Sequence, residues 1–515
     1  MLAVLVLLAA VSTKPEAPPA PPPAPQAKVE RGADGWRVDL TLDRPLLGWA
    51  MPRTQDGKGT LFLLAGPKHE PKEKSAAAPC EERKSGDEDP RDAQLYRWRF
   101  GSPDQLELVG SQLPEGSLDA VDLDGDGNEE LIVQRKGGID RVARGPEGWA
   151  SVAPLLENED LGASRGGPRI AWDTNAAGDG RLRVPLLGGF RTYGPGSSGA
   201  WTLLSEIGVP QRVDYGPELF RVRSPSIEAV GRASDGRRLF ATDPEPLGKR
   251  RLRTLLLDPD GPAESRVVES WALFPEPERM VDREFARLRG SPVLIVTTTT
   301  AEKMSILGEK ALRIYPLGGD RTRAGDHPLF ATMTNVNLWQ QVRPTVIDLD
   351  ADGHEDLVLA YWKGLKNSIV AFEVYRGTAA GSFDKARSTS FEVDDGKRGV
   401  LEFAKDVDGD GRPDAVLRAG NELLVFPGTE ASRALEKPVE TRPSRRIPLG
   451  SGIPDGGRTE LSMGLEGFAV SRGWGGLGTP HLLDVDGDLR PEAVFAGDTE
   501  GGLGRATIVF VRGSR

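Results

Sequence analysis

The sequence predicts an all-β fold: a β-propeller of four-stranded antiparallel blades, seven or eight with eight favoured, closed by an N-terminal strand. Three observations lead there. An acidic loop recurs four times, each copy followed by a short β-prone run. The copies fall at intervals suited to one supersecondary unit. The 63 glycines and 41 prolines, spread through 515 residues, favour many turns and short strands over long helices.

The chain opens with LAVLVLLAAV (2–11), ten apolar residues. A bilayer span needs about 20, so no membrane span is expected. With Ala10-Val11-Ser12 as a small-residue cleavage site, 1–14 reads as a signal peptide or short hydrophobic N-terminus, although no Lys or Arg precedes the run. The expected location is secreted, periplasmic or cell-surface. Residues 15–35 contain PEAPPAPPPAPQ and read as an extended Pro-rich linker. The folded part is expected over 36–515, with WRVDLTL (36–42) as the closing strand and the polar segment 67–92 as an insertion.

The loops carry the chemistry. DLDGDGNEE (122–130) offers Asp122, Asp124, Asp126 and Glu130, and DLDADGHED (348–356) offers Asp348, Asp350, Asp352 and Asp356. DVDGDGRPD (406–414) offers Asp406, Asp408, Asp410 and Asp414, and DVDGDLRPE (484–492) offers Asp484, Asp486, Asp488 and Glu492. Each set occupies loop positions 1, 3, 5 and 9. Four carboxylates so close repel one another unless a cation sits among them. Hard oxygens at short alternating spacing suit Ca²⁺. Asn128, His354, Arg412 and Arg490, at position 7, add a backbone carbonyl. Gly127, Gly353 and Gly411 at position 6 permit the sharp turn, whereas the fourth loop has Leu489 there. An EF-hand is excluded because it needs a bidentate Glu at position 12, where this chain has Val133, Leu359, Leu417 and Phe495. Polar turns without metal are the alternative reading.

Asp348 to Asp406 is 58 residues, Asp406 to Asp484 is 78 and Asp122 to Asp348 is 226, the last close to four periods of about 56. Three worn copies are expected in that gap at 172–189, 230–243 and 285–299, and an eighth copy ahead of them all at 54–66. Periods of about 40–60 residues with four strands each suggest propeller blades.

The repeated D-x-D-x-D-G-x-x-[DE] loops resemble those of the FG-GAP/VCBS repeat family, which includes the propeller of integrin alpha chains. The resemblance covers roughly residues 50–500. It implies a calcium-bearing propeller with each ion bridging two strands of one blade. It does not imply one activity, because propellers host adhesion, scaffolding, lectin and enzyme functions.

About four structural Ca²⁺ ions would move the formal charge from −11 to −3. An acidic chain, with 77 Asp+Glu against 66 Lys+Arg, gives no support for nucleic-acid binding. One cysteine, Cys80, excludes an intramolecular disulfide framework. His69, His327, His354 and His481 stand in no catalytic motif, so no enzyme is expected. The basic clusters Lys249-Arg250-Arg251-Arg253 and Arg442-Arg445-Arg446 read as solvated strand edges. The expected function is an exported, calcium-stabilised propeller acting as an adhesion-type binding or scaffold module for a protein or surface glycan. Blades 3–5, freed of metal duty, are candidates for the partner surface. A propeller-fold polysaccharide lyase and a propeller lectin are the alternatives.

Overall fold

The computed structural model describes residues between 24 and 511, apart from 53–58, 68–90, 158–170, 175–179, 197–200, 216–219, 247–250, 301–306, 318–327, 338–341, 364–368, 393–400, 427–442, 449–480, 484–491, 499–503 and shorter stretches of one to three residues. Among these residues the chain is almost wholly strand, and the one helical turn is Ala263–Ser265. No helix among them is long and apolar enough to cross a membrane.

Alternation along the strands builds the cores. In Thr60–Ala65, Leu61, Leu63 and Ala65 enter one core while Phe62 and Leu64 enter another. In Ser291–Thr299, Val293 and Ile295 face one neighbouring sheet, and Leu294 and Val296 the other. A strand with both faces covered reads as a near-continuous apolar run, as 61–65 and 292–296 do; the second strand goes on into the buried threonines Thr297, Thr298 and Thr299.

The sheets are unequal, holding from two to eight strands. Leu46–Ala50, Thr60–Ala65, Ala93–Arg99 and Ser102–Leu113 run on through Gly148–Glu157, Gly138–Gly145, Glu130–Arg135 and Ser117–Val121 as one eight-stranded sheet. Its first and last strands lie against each other without ladder hydrogen bonds, so it is a nearly closed barrel with an unsealed seam. At that seam a Cβ on Gly48 would stand 2.6 Å from the Leu118 amide nitrogen. Then follow sheets of four (171–208), two (212–223), five (227–273), four (279–337), four (342–392) and four strands (401–448).

The predicted propeller of uniform four-stranded blades closed by the N-terminus is therefore corrected. Two units that spacing treats as separate blades are joined by a parallel contact, Trp149 opposite Gly110. Ser102–Leu113 is twelve residues long and register shifts interrupt its pairing with Ala93–Arg99, which leaves Gly110 a second partner. Gly110 permits the approach, because a Cβ there would meet the Trp149 carbonyl oxygen at 2.4 Å. The counting of even periods also fails between the first two acidic loops, because the sheets that intervene are unequal, with four, two, five and four strands.

The two ends of the described chain share a five-stranded sheet. Gly35–Thr41 pairs along Gly504–Val511, which pairs with Glu492–Asp498, and that with His481–Leu483. Outside Gly35–Thr41 lies Gln26–Arg31, within the segment read as linker. Asp39 ties this sheet together: its carboxylate accepts from Thr507 Oγ1 at 2.7 Å and Arg505 Nη2 at 3.0 Å.

Candidate metal centre

The sheet of residues 342–392 carries the second acidic loop. Val342–Ile347 and Asp356–Lys363 pair up to Ile347 opposite Asp356, so 348–355 is the connection of a hairpin. Inside it the carboxylates accept backbone N–H bonds in a fixed order. Asp348 takes the amides of Asp352 at 3.0 Å and Gly353 at 2.9 Å. Asp352 takes that of His354 at 2.9 Å. Asp356, fully buried, takes Leu349 at 3.0 Å and Gly377 at 2.7 Å.

The pattern repeats. The position-9 carboxylate accepts the position-2 amide in all three loops of which both residues are described: Leu123 to Glu130 (2.8 Å), Leu349 to Asp356 (3.0 Å) and Val407 to Asp414 (2.7 Å). Position 1 accepts from position 6 in Asp406–Gly411 at 2.8 Å, as in Asp348–Gly353. Position 5 accepts from position 7 in Asp126–Asn128 at 2.7 Å. Gly353 and Gly411 both have left-handed φ, +85° and +86°. The recurrent carboxylates thus close the turn by hydrogen bonding, a role spacing alone does not separate from metal ligation.

Asp348, Asp350 and Asp356 come together. One oxygen of each lies within 4.8 Å of the others. Oxygens about 2.4 Å from a common ion are at most about 4.8 Å apart, so the donor set fits a hard divalent cation. Asp350 Oδ1 is buried and accepts no hydrogen bond among the described residues. Burial pushes the Asp356 carboxyl up to about 6; the amides of Gly377 and Leu349 oppose the rise, and Asp350 and Asp352 add to it. Asp352 is turned to other partners. His354 contributes its amide to Asp352, and its side chain takes no described role.

No second group of three such ligands gathers among the described residues. In the first loop Asp122, Asp126, Asn128 and Glu130 are described, but Glu130 is shared with Arg141 at 3.3 Å and Asp124 lies outside the described residues. In the third, Asp406, Arg412 and Asp414 are described; Asp408 and Asp410 are not. In the fourth, Asp484, Asp486, Asp488 and Arg490 lie outside the described residues and Glu492 opens a strand. The reading of a calcium-stabilised propeller module is accordingly corrected: among the described residues there is one cluster of three carboxylates and no series of clear calcium loops, and it sits in a different architecture.

Sequence reasoning missed two arginines. Arg376 Nη2 donates to Asp350 Oδ2 at 2.9 Å and Asp352 Oδ2 at 3.1 Å. Leu357 pairs with Tyr375, so the register places Arg376 across from Asp356. Arg289 reaches in from the adjacent sheet: its amide donates to Glu355 Oε1 at 3.2 Å, and its guanidinium to the carbonyls of Thr378, at 3.0 Å, and Ala379. It occupies the hairpin tip of the worn copy at 285–299. There the acidic loop is replaced by a two-residue turn, Arg289-Gly290, with φ of +54° and +71°, the geometry of a type I′ hairpin. The signal for Arg376 was cross-strand register, which depends on the length of the 364–368 connection.

The basic clusters are engaged internally where described. Arg251 stacks 3.7 Å from the Trp271 ring centroid, Arg253 pairs with Glu245 at 2.6 Å, and Arg446 with Glu422 at 3.3 Å. His69, Cys80 and His327 lie outside the described residues.

Residues 348–417 match the FG-GAP-like repeat family. The match takes in the second and third acidic loops only, so the resemblance read over 50–500 is corrected to this stretch. No curated protein matches the chain. Among solved structures, a protein from Lactobacillus plantarum is 13% identical, covers 72% of this chain and 95% of its own, and has a TM-score of 0.30. A putative 6-phosphogluconolactonase from Bacteroides fragilis is 11% identical over 71% of this chain and 93% of its own, with a TM-score of 0.33. BBS1N, solved in complex with ARL6DN, is 12% identical over 77% and 93%, with a TM-score of 0.34.

Proposed function

We propose that this chain is an all-β binding or scaffold domain, without chemistry of its own, whose partner is a protein or a cell-surface glycan. The observation that carries this reading is a set of exposed aliphatic side chains on or beside outer strands of three sheets in the middle of the chain. Leu203 and Leu204 are 50% and 48% exposed on Trp201–Gly208, Leu273 is 41% exposed on Val267–Leu273, and Met333 is 57% exposed on Phe330–Asn337, with Leu329 beside it. Each of these is the last strand of its sheet. Edge strands are usually guarded by charge, and exposed aliphatics there favour contact with another molecule. The same three sheets contain the worn copies at 172–189, 230–243 and 285–299. Export remains part of this proposal; residues 2–11 lie outside the described residues.

The second element of the reading is one hard divalent cation held by Asp348, Asp350 and Asp356. Supporting it are the spacing of their oxygens and the buried Asp350 Oδ1.

The test is binding of the immobilised full chain to protein and glycan arrays, alongside incubation with acidic polysaccharides monitored for unsaturated product in the ultraviolet. We expect saturable binding without turnover, weakened about tenfold or more by Leu203→Glu, Leu273→Glu and Met333→Glu combined. Turnover, or binding unchanged by those substitutions, overturns the proposal.

A further inference from the structure

Arg376 is held where a soluble cation would be drawn. Its guanidinium bridges Asp350 and Asp352, and the carboxylates raise its affinity for its proton still further. Its backbone is fixed independently of that bridge. Asp384 donates its amide to the Arg376 carbonyl at 2.8 Å, Gly377 bridges to Phe383, and the Gly377 amide is bound to the buried Asp356. Phe383 packs against the core shared by this sheet and its neighbour. Arg289 clamps the far side of the same turn through the carbonyls of Thr378 and Ala379. Two sheets therefore cooperate to aim one positive charge into the loop. A guanidinium presents several donors in a plane and serves two carboxylates at once, which a lysine ammonium does less well.

We propose that Arg376 is a tethered counter-cation for the 348–356 loop, holding the hairpin closed without a soluble ion and competing with one that enters. The first half stands on the ion pairs alone; the competition rests on the cation reading above. Ca²⁺ occupancy of the loop, rather than its closure, is then set by Arg376, because a divalent ion must work against a fixed positive charge a few ångströms away.

The experiment compares the full wild-type chain with Arg376→Gln and with the double variant Asp350→Asn/Arg376→Gln. It reads amide hydrogen exchange of the peptide covering 348–356 and calorimetric titration with Ca²⁺. In EDTA, R376Q should lose protection in this peptide while peptides elsewhere keep theirs. The double variant should regain it, since one of the repelling carboxylates is gone. With Ca²⁺, R376Q should bind about tenfold more tightly than wild type. Unchanged protection in R376Q, with Ca²⁺ affinity equal to wild type, overturns the proposal while leaving the cation reading standing if both chains bind. Loss of protection in R376Q with recovery in the double variant, but no Ca²⁺ uptake by either chain, keeps Arg376 as counter-cation and removes both the competition and the cation reading. Loss of protection that Asp350→Asn does not recover assigns Arg376 a packing role and overturns the proposal.

Discussion

At the scale of the residue, Ala351 shows how closely the loop geometry is specified. It holds φ of +58°, where an L side chain is strained by about 1–2 kcal/mol. The other three loops have glycine at this position, Gly125, Gly409 and Gly487. Ala351→Gly is expected to gain up to about 1 kcal/mol in chemical unfolding, the relief of strain outweighing glycine's extra chain entropy. Tyrosines give a pH prediction. Burial pushes Tyr315 up to about 12, and Tyr96 likewise, with Asp43 adding to the second. Both phenols are therefore favoured in the neutral form by folding. Their contribution is whole below the unfolded value of about 10 and is lost as pH rises from there through about 12. Burial raises Tyr375 as well, so absorbance titration should show at least three of the six tyrosines ionising late, and Tyr315→Phe should remove one of them.

At the scale of the element, the acidic hairpins owe their shape to carboxylate–amide bonds. Gly377 joins two such pieces: its amide binds Asp356, and a Cβ on it would stand 2.1 Å from the Glu355 carbonyl oxygen. Gly377→Ala must push backbone from backbone, so a loss of about 1–3 kcal/mol is expected with loosened exchange at 348–356. An unaltered stability would show that the turn does not pack as described. Much at this scale was legible in the sequence. The acidic spacing located the hairpin connections, and Gly353 and Gly411 take the positive φ that position 6 requires. What spacing did not convey was the destination of each oxygen. Asp356 and Asp414 are buried and spend carboxylate oxygens on the amides of Leu349 and Val407, which looks in sequence like a metal ligand set. Arg376 and Arg289 were invisible for a related reason: one comes by cross-strand register and the other from a neighbouring sheet.

At the scale of the whole molecule, neighbouring sheets share cores, and the ends of the chain are paired. Leu40, on the strand Gly35–Thr41, is fully buried in the core common to the terminal and eight-stranded sheets. Leu40→Ala is expected to cost about 2–5 kcal/mol. The all-β class followed from turn density and the β-prone runs after each acidic loop. The assembly did not, because joining two hairpin groups into one sheet depends on Gly110 lacking a side chain opposite Trp149, and a lone glycine in a strand carries no address. Gly110→Val should open that joint and lower the melting temperature far more than a substitution on an exposed face, as Cβ would overlap backbone.

The cation loop is the point where fold and proposed function meet. Its most direct test is calorimetric titration with Ca²⁺ of the wild-type chain and of Asp350→Asn. We expect the wild type to bind Ca²⁺, half-saturated at about 10⁻⁴ M or above because Arg376 opposes the ion, and Asp350→Asn to lose that uptake. No uptake by the wild type, or uptake of equal affinity in the variant, would contradict a cation held by Asp348, Asp350 and Asp356.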